Sequence, residues 1–328
     1  MSTGTLNRVE DHMVVFDDAV MKAVRDTSDR VLRAAGGPVD GADWIAAAGD
    51  AWHHLPVELR QVVSRFRRHS GEQGVLLLRG LPFGDDALPD TPATLDSVQS
   101  EPSVSAAVLM MIAGGLGDPA AFRPEKNGAL VQNVVPVPGN EDVQGNPGSV
   151  ELTFHTENAF HEHCPDYVLL MCLRSDHEGV AGLRTSCVRQ ILPMLSWVDR
   201  EALSRTDYLT TPPPSFGGGN SSATRHSVLV GDLFDPDLRV DFAATAPQSA
   251  QAELAMAELE SACEAAALTF RLRPGDLAIV DNRVTLHGRT AYRPRYDGRD
   301  RWLQRTFVLT DLRCSRRHRP HDGNVLVR

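Results

Sequence analysis

The 328-residue sequence contains no run of the roughly 18 uninterrupted apolar residues that a membrane-spanning helix needs. Membrane insertion is therefore not expected, and the composition, 42% apolar and 23% charged, is that of ordinary globular proteins. The N-terminal MSTGTLNRVEDH lacks an apolar core and a small-residue cleavage site, so it carries no mark of export, and the expected compartment is the cytoplasm. No C-x-x-C pair occurs among Cys164, Cys172, Cys187, Cys263 and Cys314, whose odd number and scatter fit reduced thiols rather than a disulfide framework or a structural zinc site. Positive charge is short as well. A formal net charge of -10 argues against a nucleic-acid partner, because such affinity comes largely from basic residues replacing counterions on phosphates. The arginine-dense stretch 299–319 is the local exception, and its end, with Arg313, Arg316, Arg317 and Arg319, reads as a solvated tail. No internal repeat is present.

What remains is a chain long enough for one large domain. Apolar residues at mixed three- and four-residue spacing predict helices over 14–35 and 43–69. Residues 74–80 form an apolar run bounded by glycines and predict a buried strand, 82–102 a loop, and 103–112 a buried helix ended by Gly114 and Gly115. From Leu130 the texture changes to short strand-like runs over 130–137, 152–157, 167–173, 228–232, 238–243, 268–272, 277–281 and 302–310. One helix, 247–267, interrupts them. The expected fold class is α+β with a mainly β core of sandwich or barrel type. It divides into a helical N-terminal elaboration (1–117), a core with a helical insert (118–312) and a tail (313–328). Two irregular segments rich in glycine and proline, 138–149 and 212–220, are candidate lids over a site.

The chemistry concentrates in Thr153-Phe-His-Thr-Glu-Asn158. In an extended strand residues two apart face the same side, so His155 and Glu157 would project together onto one ion. Two imidazoles and a carboxylate leave three positions open on one side of iron(II), and His287, at the end of an apolar strand and followed by Gly288, is the candidate third ligand. Arg301 and Arg305, four apart at the start of the 302–310 strand, would share a face, each able to clamp a carboxylate with paired hydrogen bonds. His161, His163 and Cys164 form a competing zinc set, but no second Cys or His pair follows at the usual spacing; they are expected to pack around the metal strand or cover the site.

His155-Thr-Glu157, Asp-Asn-Arg-Val-Thr-Leu-His287-Gly, and Arg301 fourteen residues further on resemble the clavaminate synthase-like iron(II)/2-oxoglutarate-dependent oxygenases, which use glutamate where commoner relatives use aspartate. The likeness extends over most of the chain, including Leu77-Leu-Arg-Gly-Leu-Pro82, 124–132 and Trp302-Leu-Gln-Arg-Thr-Phe-Val308. It implies a double-stranded β-helix, or jelly roll, flanked by helices. It implies iron(II) on His155, Glu157 and His287, with 2-oxoglutarate and dioxygen as co-substrates. Arg301, helped by Thr185, would hold the distal carboxylate of 2-oxoglutarate. Arg305 would take the α-carboxylate of an amino-acid substrate, Glu125 and Gln132 would approach its ammonium group, and Asn146, Asn158 and Asp241 would meet its side chain. One acid with amides suits a primary amide. The expected reaction is C3 hydroxylation of free L-asparagine, giving 3-hydroxyasparagine for non-ribosomal peptide synthesis. The alternatives are hydroxylation or desaturation of arginine, lysine or citrulline at the same centre, and a non-catalytic metal-containing jelly-roll binding protein.

Overall fold

A computed structural model describes residues 7–10, 12–34, 36–84, 88–217 and 224–327. The strand Tyr167–Arg174 is buried along nearly its whole length, because its two faces meet two different cores. Tyr167, Leu169, Met171 and Leu173 pack with the N-terminal helices, whereas Val168, Leu170 and Cys172 join an inner cluster with Val75, Leu77, Val280, Leu303 and Phe307. That double burial is why the segment is a continuous apolar run rather than an alternating one.

This strand lies inside a nine-stranded sheet. The order is Asn7–Glu10, Met13–Val15, Val75–Arg79, Leu277–Asp281, Tyr167–Arg174, Trp302–Leu309, Asp118–Phe122 and Val325–Leu326, with Gln132–Val134 also pairing to Trp302–Leu309. A smaller, four-stranded sheet has the order Leu268–Arg271, Gly182–Cys187, Thr285–Arg289 and Leu152–His155. Leu183 and Phe270 of the smaller sheet meet the large sheet in the inner cluster. On its outer side the helix Ala250–Ala265 packs through Ala255, Leu259 and Cys263 against Phe154, Cys187 and Leu286. This is the jelly-roll α+β architecture expected from the sequence.

Several local expectations are corrected. The first helix begins at Asp18, because Met13–Val15 pairs in parallel with Val75–Arg79. The helix expected over 43–69 is two, Ala42–Trp52 and Val57–Arg68; Pro56 stands at the second N-cap in an extended conformation (ψ 140°) and has no N–H to continue the first. Gly114 and Gly115 do not end their helix, which runs Val104–Leu116. They allow close approach instead: a Cβ on Gly115 would lie 2.5 Å from the Trp52 ring, and one on Gly114 3.4 Å from the Cα of Gly49. The strand expected over 238–243 is reduced to Asp237–Leu238. The C-terminal tail is not wholly solvated. Arg313, Arg316 and Arg317 are exposed, but Val325–Leu326 adds to the large sheet, and Arg319, 4% exposed, donates to the carbonyls of Leu312 and Gly323 and to Ser315 Oγ. No helix among the described residues is long and apolar enough to cross a membrane.

Candidate active site

Leu152–His155 and Thr285–Arg289 are antiparallel neighbours, and their register places His287 directly opposite His155, with ring centroids 4.3 Å apart. The Nδ1–H of His155 donates to the Thr153 carbonyl at 3.0 Å, which leaves the Nε2 lone pair for a metal. Glu157 joins them by a different route from the one expected. The strand ends at His155, and Glu157 belongs to the following turn, where Asn158 adopts a left-handed conformation (φ 54°). Asn282, 1% exposed, fixes that turn by bonding both the N–H and the carbonyl of Glu157. In the sequence Asn282 reads only as half of a turn pair, because the groups it serves lie 125 positions away.

Ligand atoms of His155, Glu157 and His287 all lie within 4.8 Å of one another, with His287 Nε2 at 3.5 Å from Glu157 Oε2. Burial, then the neighbouring His155, drags His287 down to about 4, so its imidazole is neutral near pH 7. Burial alone would raise Glu157, but the Arg305 guanidinium and the two histidines outweigh it and hold the carboxylate at about 2. His287 and Glu157 are thus in the protonation states that metal binding requires. Two nitrogens and one oxygen, converging and largely buried, fit iron(II) of the two-histidine, one-carboxylate type.

A cavity of about 830 Å³ opens over His155 and Glu157, and Glu125, Asn146, Asn158, Asp241 and Arg305 line it. Both candidate lid segments contribute walls, 143–147 from the first and 213–216 from the second; the part of the second at 218–220 lies outside the described residues. Arg305, 4% exposed, alternates with Leu303 and Phe307 on the inner face of its strand. It donates to Glu157 Oε2 at 3.0 Å, to Gln132 Oε1 at 2.5 Å and to Glu125. The Asn146 amide is satisfied with its oxygen toward Arg305, accepting at 3.0 and 3.2 Å.

Glu125 is presented by a turn in which Lys126, Asn127 and Gly128 all have positive φ (46°, 57° and 79°), and its Oε2 is buried with no hydrogen-bond partner among the described residues. Such backbone strain in non-glycine residues is stored where the surroundings enforce it. Gln132 does not line the cavity: its carbonyl oxygen is taken by Arg305, so it braces the guanidinium instead of reaching toward an ammonium group. The Asn158 Nδ2 is buried with no partner among the described residues. Asp241, bridged to His155 through the backbone, accepts the Ala243 N–H on Oδ1.

Arg301 and Thr185 lie outside this cavity lining. Thr185 is paired across the sheet with His287 and is 1% exposed. Arg301 is 6% exposed, and its Nη1 is buried with no partner among the described residues. A buried guanidinium with an unpartnered N–H fits an anionic co-substrate.

The competing zinc set does not assemble. Cys164 donates to the carbonyls of Asn158 and His161, and burial pushes its thiol up to about 11. His163 groups instead with Glu162 and His318, where the Arg317 guanidinium already bonds Glu162 at 3.0 and 3.2 Å, supplying the cation.

A jelly roll carrying this triad beneath an amino-acid-sized cavity is the framework of a non-haem iron dioxygenase. Residues 36–307 match the taurine catabolism dioxygenase TauD, TfdA family, and the chain belongs to it. It is 56% identical over 313 residues to L-asparagine oxygenase of Streptomyces coelicolor, spanning 95% of this chain and 94% of that one. Identity to clavaminate synthase 2 of Streptomyces clavuligerus is 34%, over 84% of each chain. A solved structure of asparagine oxygenase in complex with Fe(II), 2S,3S-3-hydroxyasparagine and succinate superposes with a TM-score of 0.94 at 56% identity, covering 97% of this chain and 99% of that one.

Proposed function

We propose that this dioxygenase hydroxylates free L-asparagine at C3, using iron(II) held by His155, Glu157 and His287 and consuming 2-oxoglutarate and dioxygen. Iron(II) with 2-oxoglutarate supplies an oxidant able to take a hydrogen atom from an unactivated C–H bond. The chain's own contribution is to decide which C–H bond lies in reach.

Arg301 neutralises the distal carboxylate of 2-oxoglutarate, with Thr185 on the strand beside His287. Arg305 and Glu125 form a preassembled cation–anion pair on the cavity wall. A zwitterionic amino acid complements that pair, its carboxylate toward Arg305 and its ammonium toward the unpartnered Glu125 Oε2. Because Arg305 also bonds Glu157, the α-carbon is anchored at a fixed reach from the metal ligands.

The observation that carries the substrate assignment is one acceptor and one unused donor in the same cavity: the Asp241 carboxylate and the buried Asn158 Nδ2. A primary amide satisfies both, donating to Asp241 and accepting from Asn158. A cationic side chain would set its charge against the Asn158 N–H and find no second acid on the segment that carries Asp241, since Arg239 is bound to the Ala159 carbonyl and Ala243 is apolar. Leaving a buried amide group unpaired costs about 1–3 kcal/mol, enough for useful selection. Sharing 56% identity with an L-asparagine oxygenase supports the same reading.

Anaerobic titration tests it. Iron(II) and 2-oxoglutarate should produce a weak visible charge-transfer absorption that L-asparagine perturbs and L-arginine does not. Absence of the band would identify a non-catalytic metal-containing binding protein, and a response to arginine alone would overturn the substrate.

A further inference from the structure

Arg289 follows His287 by two residues in Thr285–Arg289, directly opposite Leu183, and therefore shares the inner face of the smaller sheet. It is 3% exposed. Its Nη2 donates to the Val150 carbonyl at 2.9 Å, but its Nε is buried with no partner among the described residues. The Tyr292 ring lies against both guanidiniums, 5.3 Å from the Arg289 Cζ and 5.7 Å from that of Arg301. The Tyr292 hydroxyl and Arg301 Nη1 are also buried, and neither meets an acceptor among the described residues other than each other.

Two buried guanidiniums and a phenol thus gather around one aromatic ring, and the acid near that ring, Asp300, is already engaged by the Arg295 and Tyr296 N–H groups and faces His177. A folded chain tolerates such an arrangement where a ligand supplies the missing charge and acceptors. Arg301 alone would need one carboxylate oxygen, so the surplus at Arg289 and Tyr292 is unexplained by the Arg301–Thr185 pair. We infer that Arg289 and Tyr292 complete, with Arg301, the receptor for the distal carboxylate of the 2-oxo diacid, an assignment that rests on the dioxygenase reading above. The guanidinium Nε–H and the phenol O–H each donate to that carboxylate, and the second positive charge makes the site select a 2-oxo acid ending in an anion. Succinate keeps the same carboxylate, so the same residues also hold the product.

The Val150 bond gives Arg289 a structural role as well, and the test separates the two. Holoprotein loaded anaerobically with iron(II) is titrated with 2-oxoglutarate and with 2-oxopentanoate, which has a methyl group in place of the distal carboxylate, and binding is read from the visible absorption. Arg289→Gln should weaken 2-oxoglutarate about tenfold or more while leaving 2-oxopentanoate unchanged. Tyr292→Phe should do the same to a smaller degree, and Arg289→Lys, which keeps the charge, should recover part of the loss. Equal weakening of both ligands, or no change in either, overturns the inference. The wild-type preference for 2-oxoglutarate over 2-oxopentanoate tests the dioxygenase reading separately; failure of wild type to bind either ligand overturns both.

Discussion

Asn282 grips the main chain of Glu157 at both polar ends: its Oδ1 accepts the Glu157 N–H at 2.8 Å, and its Nδ2 donates to the Glu157 carbonyl at 3.2 Å. Nδ2 also donates to the Pro165 carbonyl at 2.8 Å, so one buried amide ties the carboxylate ligand to the strand that leads toward His287. Groups that orient a metal ligand without touching the metal are worth about 10–100-fold in affinity or activity. Asn282→Ala should weaken iron(II) binding by that order while the thermal transition of the metal-loaded protein remains cooperative. An unchanged affinity in a metal titration would show that the turn holds Glu157 unaided.

Substrate choice turns on Asp241. Asp241→Asn replaces the acceptor for the substrate amide with a group that both donates and accepts, and should reduce the asparagine response while leaving the iron–2-oxoglutarate absorption intact. Loss of that absorption in the variant would place Asp241 in the metal centre instead.

The helix pair beneath the large sheet makes an opposite-sign prediction for adjacent glycines. An alanine methyl at Gly115 meets the buried Trp52 ring at 2.5 Å, whereas at Gly114 the nearest atom is 3.4 Å away. Overpacking of this kind costs about 1–3 kcal/mol, and replacing a helical glycine by alanine otherwise gains up to about 1 kcal/mol. Chemical denaturation should therefore show Gly115→Ala destabilised and Gly114→Ala neutral or stabilised.

Those two glycines show why part of the fold escaped the sequence. Glycine at the end of an apolar run signals termination only when no neighbouring helix needs the space, and the neighbour, Trp52, is more than sixty positions away. His155 and His287 were legible because strand alternation and an apolar lead-in fix where a side chain points. Glu157 converges with the two histidines, but not by the strand alternation that pointed to it, since it sits past the strand end. Arg305 was legible as a clamp, but its engagement with Glu125, Gln132 and Glu157 depends on pairings between distant strands. Arg289 and Tyr292 gave no local signal at all: each is an ordinary residue type, and only their gathering with Arg301 around one ring after folding makes them conspicuous.

Lys126 carries a pH signature. Burial, followed by repulsion from Arg305, lowers its pKa to about 8. Above that pH the unfolded chain still binds a proton that the folded chain has released, so stability rises with pH from about 8 toward the usual lysine range of about 10.4. Lys126→Met removes this component, and the stability of wild type relative to the variant should grow across that window. A constant difference would mean that the ammonium, bonded to the Ser97 and Asn133 carbonyls, titrates normally.

The central claim is the reaction itself, and it is tested by incubating the purified chain with iron(II), 2-oxoglutarate, dioxygen and individual free amino acids while measuring succinate and product mass together. The account predicts succinate formed in step with a product one oxygen atom heavier than L-asparagine, hydroxylated at C3. A heavier product from arginine or lysine with none from asparagine would contradict it.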